Sequence, residues 1–102
     1  MGIQSQEAKQ DEGKIQLTLV PPAIIWEIAK VRMYGCAKYP NGGRDNWKQV
    51  EPQRYRDALL RHIYKWLDGE DIDEESSLHH LSHAACNLAF LIELEVYSRW
   101  KF

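Results

Sequence analysis

Three of the chain's four histidines, His79, His80 and His83, crowd into the stretch SSLHHLSHAACN, and the fourth is His62. On a helix, side chains three or four residues apart lie on one face, close enough to share a metal ion or a ligand. Steps of about 100° bring His80, His83 and Asn87 onto one row, which runs on into Leu91 and Leu94. A polar row that enters the apolar side of a helix needs partners, because each unpaired buried polar group costs on the order of 1–3 kcal/mol. These histidines therefore either hydrogen-bond to neighbouring helices and complete a polar core, or hold a metal ion or ligand.

Just ahead lies GEDIDEESS, with Glu70, Asp71, Asp73, Glu74 and Glu75. Acids this dense repel one another unless a cation stands close. Asp71 and Glu74 are expected to be solvated, favouring the following helix through its N-terminal dipole. Glu70 and Asp73 sit at the junction of two helices, where carboxylate oxygens could converge on Mg²⁺ or Mn²⁺. The imidazoles shift that choice toward Mn²⁺ or another transition ion. No CxxC or HExxH spacing supports a structural zinc site.

Asp57 and Arg61 are spaced as an i, i+4 ion pair. Arg54, Arg61 and Lys65 share a face that would suit phosphate oxygens equally well. The loop KYPNGGRDNW combines Lys38, Arg44, Asn46 and Trp47, an aromatic ring with amide and cationic neighbours, as used to hold a base and its phosphates. Trp47 is equally well read as an anchor that fixes the loop on the helices. GxxxxGK[ST], GxGxxG and GxSxG are absent, which leaves P-loop, Rossmann and hydrolase-elbow chemistry without support.

These residues need elements to position them. Residues 1–13 are polar and aperiodic, and a flexible tail is expected there. Ile15, Leu17 and Leu19 alternate with polar residues, which suggests a short extended arm packed on the domain. Pro21 and Pro22 open a first helix, with Ile24, Ile28 and Val31 at helical spacing and Gly35 near its end. Glu51-Pro52 starts a second, striped by Tyr55, Leu59, Ile63 and Trp66 with His62 alongside, and Gly69 ends it. A third runs from about Leu78 to about Trp100, with Asp73 or Ser77 as N-cap. The predicted fold is all-α, an antiparallel helical bundle over residues 14–102. Three helices leave an apolar side thinly covered, so a homodimer or dimer of dimers is expected to complete it.

The 102 residues suffice for one domain, and 44% of them are hydrophobic. Thirteen basic against fifteen acidic residues provide no basic face for duplex nucleic acid. Cys36 and Cys86 lie in apolar helical stretches and read as reduced thiols. With no apolar run long enough to span a bilayer and no apolar signal core, the expected location is the cytoplasm.

Taken together, GKIQLTLVPP, YGCAKYP with the following NW, RYRDALLRH, GEDIDEES and HLSHAACNLAFL resemble the phage dATP/dGTP diphosphohydrolase N-terminal family. That group is similar to the all-α, MazG-like nucleotide pyrophosphohydrolases. The resemblance covers about residues 13 to 95 and implies an oligomeric, Mg²⁺- or Mn²⁺-dependent enzyme. Its substrate would be a purine deoxynucleoside triphosphate, cleaved between the α and β phosphates; if phage encoded, it would act in the bacterial host cytoplasm. Glu70 and His83 are then the candidate catalytic groups, and Asp57, Glu70, Asp73, His80 and His83 the candidate metal ligands. Lys38, Asn46, Trp47, Arg54, Arg61 and Asn87 would bind the nucleotide. The wider superfamily carries EExxE on one helix and ExxD on the next, and both are missing here. His80-x-x-His83 stands in place of ExxD, which removes negative charge from a hard-cation site. Ser77 stands where the pattern has glycine. A non-catalytic nucleotide binder that sequesters a host nucleotide or nucleotide-derived signal is the alternative.

Overall fold

Proline and glycine punctuate three α-helices. The structure, a computed structural model, describes residues 12–39 and 43–99, with the backbone alone for Arg99. α1 spans Ala23–Lys38 and starts directly after Pro21-Pro22, whose missing amides cost nothing at a helix start. α2 spans Pro52–Leu67, with extended Glu51 ahead of it and Pro52 in its first turn. It stops before Gly69, whose φ of 98° is readily available only to a residue without a Cβ. α3 spans His80–Leu91. Among the described residues there is no strand, only an isolated antiparallel bridge between Ile72 and His79.

The α2 and α3 axes run antiparallel, as their pairings show. Tyr55 meets Phe90, Arg56 meets Glu95, and at the opposite end His62 meets His80 and His83. α1 lies against the other side of α3, through Glu27 to Ser82 and Tyr34 to His83. α3 is therefore the central element, and its inner face carries the core. Among the described residues that core is small and half polar: Val31, Ala84 and Cys86 are buried and apolar, and His80, Ser82 and His83 buried and polar. On α2, Tyr55, Ala58, Leu59, His62 and Ile63 are half-buried at spacings of three and four; of the expected stripe, Trp66 is exposed instead.

Three expectations need revision. The segment Ile15–Leu19 is not a packed extended arm: Leu17–Leu19 form a 3-10 turn, and Ile15 remains 84% exposed. The N-cap of α3 is His79, whose Nδ1 accepts the Leu81 amide at 2.9 Å; Asp73 and Ser77 are occupied in the loop before it. The α-helical ladder ends at Leu91, not near Trp100. A π turn, Ile92–Val96, and a 3-10 turn, Tyr97–Arg99, continue the helical path. In the acidic stretch Asp71 and Glu74 are exposed, as expected, while the backbone is tied down. Asp71 accepts the His80 amide, and Asp73 accepts from Ser77 and donates its own amide to Leu78, each at 2.8 Å. Ser77 sits at φ 63°, the left-handed conformation that glycine would adopt freely. The expected 1–13 tail lies outside the described residues up to residue 11.

Candidate functional site

At one end of the α2–α3 pair, side chains from two helices and the loop between them form a bonded polar cluster. His80 is fully buried, and both ring nitrogens are engaged: Nε2 lies 2.6 Å from Glu70 Oε2, and Nδ1 lies 2.8 Å from His62 Nδ1. A carboxylate only accepts, so Nε2 of His80 carries the proton. In the singly protonated ring, Nδ1 is then a lone pair, and His62 supplies the hydrogen between the two rings. His62 also stacks on His83 at 4.5 Å with the planes 6° apart. Burial first, then the nearby His83 and His80 rings, push His62 down to about 4.

His83 is held by a second chain. Its Nε2 lies 2.6 Å from Ser76 Oγ, and that hydroxyl donates to Asp73 Oδ2 at 2.7 Å. The serine hydrogen being spent on the carboxylate, His83 must donate Nε2–H to Ser76, which leaves its Nδ1 as a lone pair. Burial pushes His83 below its ordinary range. For Asp73 burial acts upward, but the Ser76 hydroxyl and amide together hold the carboxyl below its usual range. Asp73 is thus kept as an anion 3.6 Å from an imidazole.

Lys38 borders this cluster and does not line the cleft further along the two helices. It pairs with Glu75 at 2.5 Å, and Glu75 also accepts from Tyr34, whose ring stands edge-on to His83. The Lys38 bond holds the Glu75 carboxyl low and the ammonium high.

Further along the same two helices opens a cleft of about 580 Å³. Its lining includes Arg32, Asn46, Trp47, Arg54, Asp57, Arg61 and Asn87. Five of the six residues expected to bind nucleotide therefore converge, and Lys38 is the one outside. Asp57, expected as a metal ligand, lies in this cleft and accepts from Gln53; it belongs neither to the cluster nor to an ion pair with Arg61. The Arg54 and Arg61 side chains form no hydrogen bond or ion pair with another described residue. Trp47 is an anchor: its ring stacks on Phe90 at 4.7 Å, and its carbonyl accepts the Tyr55 hydroxyl at 2.8 Å. It lines the cleft as well. Gly43 lets the loop close against the end of α1, since a Cβ there would fall 2.3 Å from the Tyr39 carbonyl oxygen.

Cluster and cleft are contiguous in sequence. Arg61 precedes His62 on α2, and Asn87 donates to the His83 carbonyl on α3 at 2.9 Å. Sequence reasoning placed His62 alongside the α2 stripe but did not count it among the site residues; an ionisable ring half-buried beside apolar positions is the signal. Ser76 and Arg32 gave none, because both act through a fold-dependent neighbour.

One donor atom each from His62, Asp73 and His80 lies within 4.8 Å of the others. Donors about 2.1 Å from a common ion stand roughly 3–4 Å apart, so an ion here would need the two imidazole nitrogens, 2.8 Å apart, to open slightly and the Asp73 oxygen to draw in.

The family model for dATP/dGTP diphosphohydrolase, N-terminal, matches residues 4–101. The chain belongs to the dATP/dGTP diphosphohydrolase N-terminal family. A dATP/dGTP diphosphohydrolase of Salmonella phage PMBT28 is 40% identical over 86 residues, which are 84% of this chain. They are 29% of the phage protein, so this family domain spans under a third of that relative's length. No solved structure matches the chain. No helix among the described residues is long and apolar enough to cross a membrane.

Proposed function

We propose that this domain serves a divalent-metal-dependent pyrophosphohydrolase that converts dATP or dGTP to the monophosphate and pyrophosphate. The observation that carries the reading is the continuity of an anionic, histidine-rich cluster with a cleft of unpaired arginines on the same two helices. Arg54 and Arg61 offer their guanidinium groups to phosphate oxygens, and Arg32 stands across the cleft from them. Trp47 and Asn46 border the room left for a base. Asp73 and the histidines form the acidic and basic end, where a water would be oriented toward phosphorus. A bound Mg²⁺ or Mn²⁺ would neutralise charge on the phosphates and lower the pKa of that water. His83, with a lone pair on Nδ1, is the group able to take its proton, and Glu70 keeps His80 in one tautomer. Water oxygen then bonds to phosphorus as the bridging oxygen between the α and β phosphates leaves with the pyrophosphate.

Self-association belongs to this reading. Ile15, Leu17, Leu19, Ile25 and Trp26 are exposed on the arm and α1. The radius of gyration is 17.7 Å, against about 13 Å for a compact chain of this size. A dimer or dimer of dimers would complete a MazG-like antiparallel bundle, working in the cytoplasm.

Incubating the protein with dATP, dGTP and the ribonucleotides, with Mg²⁺ or Mn²⁺, should release pyrophosphate from the purine deoxynucleotides. Tight nucleotide binding without release would instead support the non-catalytic binder. One feature favours that second reading: every buried side-chain polar atom among the described residues already has a partner. Neither release nor binding would overturn both.

A further inference from the structure

We propose that His62, His80 and Asp73 form a two-histidine, one-carboxylate site for a borderline transition ion such as Mn²⁺, Co²⁺ or Zn²⁺, selected over Mg²⁺, with Glu70 as the group that orients His80. This deepens the metal dependence of the function proposed above and rests on it only for the site's purpose, since metal binding is measurable without turnover.

The geometry separates ligand from support. His80 reaches Glu70 through Nε2 at 2.6 Å, which leaves Nδ1 as its ligating atom. A ligating imidazole whose other N–H is held by a carboxylate is the usual outer-shell arrangement of histidine metal sites, and it fixes both tautomer and ring plane. Nδ1 of His80 faces Nδ1 of His62 at 2.8 Å, and the hydrogen that His62 supplies there holds the place an ion would take. A metal ion would displace that hydrogen. Asp73 supplies the anionic oxygen. Its Oδ2 is occupied by the hydroxyl and amide of Ser76, so Oδ1 is the oxygen left for an ion. His83 is bound to Ser76 through Nε2 and stacked on His62, so it buttresses the ligands.

The donor chemistry sets the choice of ion. Mg²⁺ prefers six oxygens in a strict octahedron and gives up water reluctantly, whereas imidazole nitrogen favours the later first-row ions. Two nitrogens and one oxygen leave coordination positions for phosphate oxygens or water. The rigidity comes from the fold, because His80 is fully buried and Asp73 and His62 are half-buried on opposing elements.

The test uses the untagged chain without nucleotide. Titration with Co²⁺ should give visible d–d bands saturating at one ion per chain. Zn²⁺ should displace the ion stoichiometrically, and a hundredfold excess of Mg²⁺ should leave the bands intact. Helical circular dichroism checks that each variant folds. His62→Gln and Asp73→Asn should abolish the bands, while Glu70→Gln should keep them with affinity weakened about 10–100-fold. Absence of bands in the wild type, their displacement by Mg²⁺, or full retention in folded His62→Gln would each overturn the proposal. If a variant fails to fold, the wild-type competition between Zn²⁺ and Mg²⁺ still decides. The two proposals fail separately: bands without pyrophosphate release refute the hydrolase alone, and release with Mg²⁺ in a protein that shows no bands refutes this site alone.

Discussion

The two ends of the α2–α3 pair are built on opposite principles. At the histidine end, Glu70, His80 and His62 form one bonded chain, and Asp73, Ser76 and His83 another. At the cleft end, Arg54 and Arg61 project without partners among the described residues while aromatic rings hold the walls. A saturated cluster is preorganised and contributes to stability. An unsaturated cleft contributes little until a ligand enters, and it keeps its hydrogen-bonding capacity for that ligand. Changes at one end should therefore read out in folding, and changes at the other in binding.

The widest separation is expected from Arg54→Ala combined with Arg61→Ala. Each charge-assisted contact contributes about 1.5–3 kcal/mol, so nucleotide affinity by calorimetry should fall at least a hundredfold with the melting temperature nearly unchanged. A matching loss of stability would erase the contrast between the ends. His80→Ala should do the reverse, costing about 3 kcal/mol in urea unfolding through a cavity and orphaned hydrogen bonds. Acid should weaken the same end more gently. The unfolded His62 ring takes its proton near the ordinary 6.5, whereas the folded ring resists until about 4. Stability is thus full above 6.5 and falls as pH drops toward 4. His83, also held low by burial, adds to that fall. Thermal melts from pH 7 to 4 should show it, and His62→Gln should flatten the slope. The smallest effect is a gain: Ser77→Gly relieves a left-handed backbone, and urea unfolding should show it more stable by about 0.5 kcal/mol, the relief exceeding the added freedom of glycine in the unfolded chain.

Legibility in the sequence followed locality. Helix starts at Pro22 and Pro52, the stop at Gly69 and the face shared by His80, His83 and Asn87 are set by neighbours within one or two turns, and the fold reproduces them. The pairing of Glu70 with His80 and of Asp73 with His83 could be anticipated as proximity, though not as two separate chains. Ser76 as the relay between Asp73 and His83 depends on a loop whose shape emerges only after α2 and α3 pack. Lys38 pairs with Glu75, 37 residues away, and does not line the cleft, which spacing alone could not foretell. The arm shows the same limit: alternation of Ile15, Leu17 and Leu19 reveals what needs covering, but not what covers it.

The π turn after α3 has a consequence for insertions and deletions. Five residues, Ile92–Val96, take a wider path than an α-helix would, so the chain accommodates one extra residue without breaking its helical course. Removing one residue there should let the stretch snap into a regular α-helix while the preceding face, with His80, His83 and Asn87, keeps its bearing. Adding or removing a residue within His80–Leu91 has no such slack. It would swing everything beyond the change by roughly 100° about the axis, parting Phe90 from Trp47 or His83 from Ser76. Length variants of this chain should be tolerated after Leu91 and not before it.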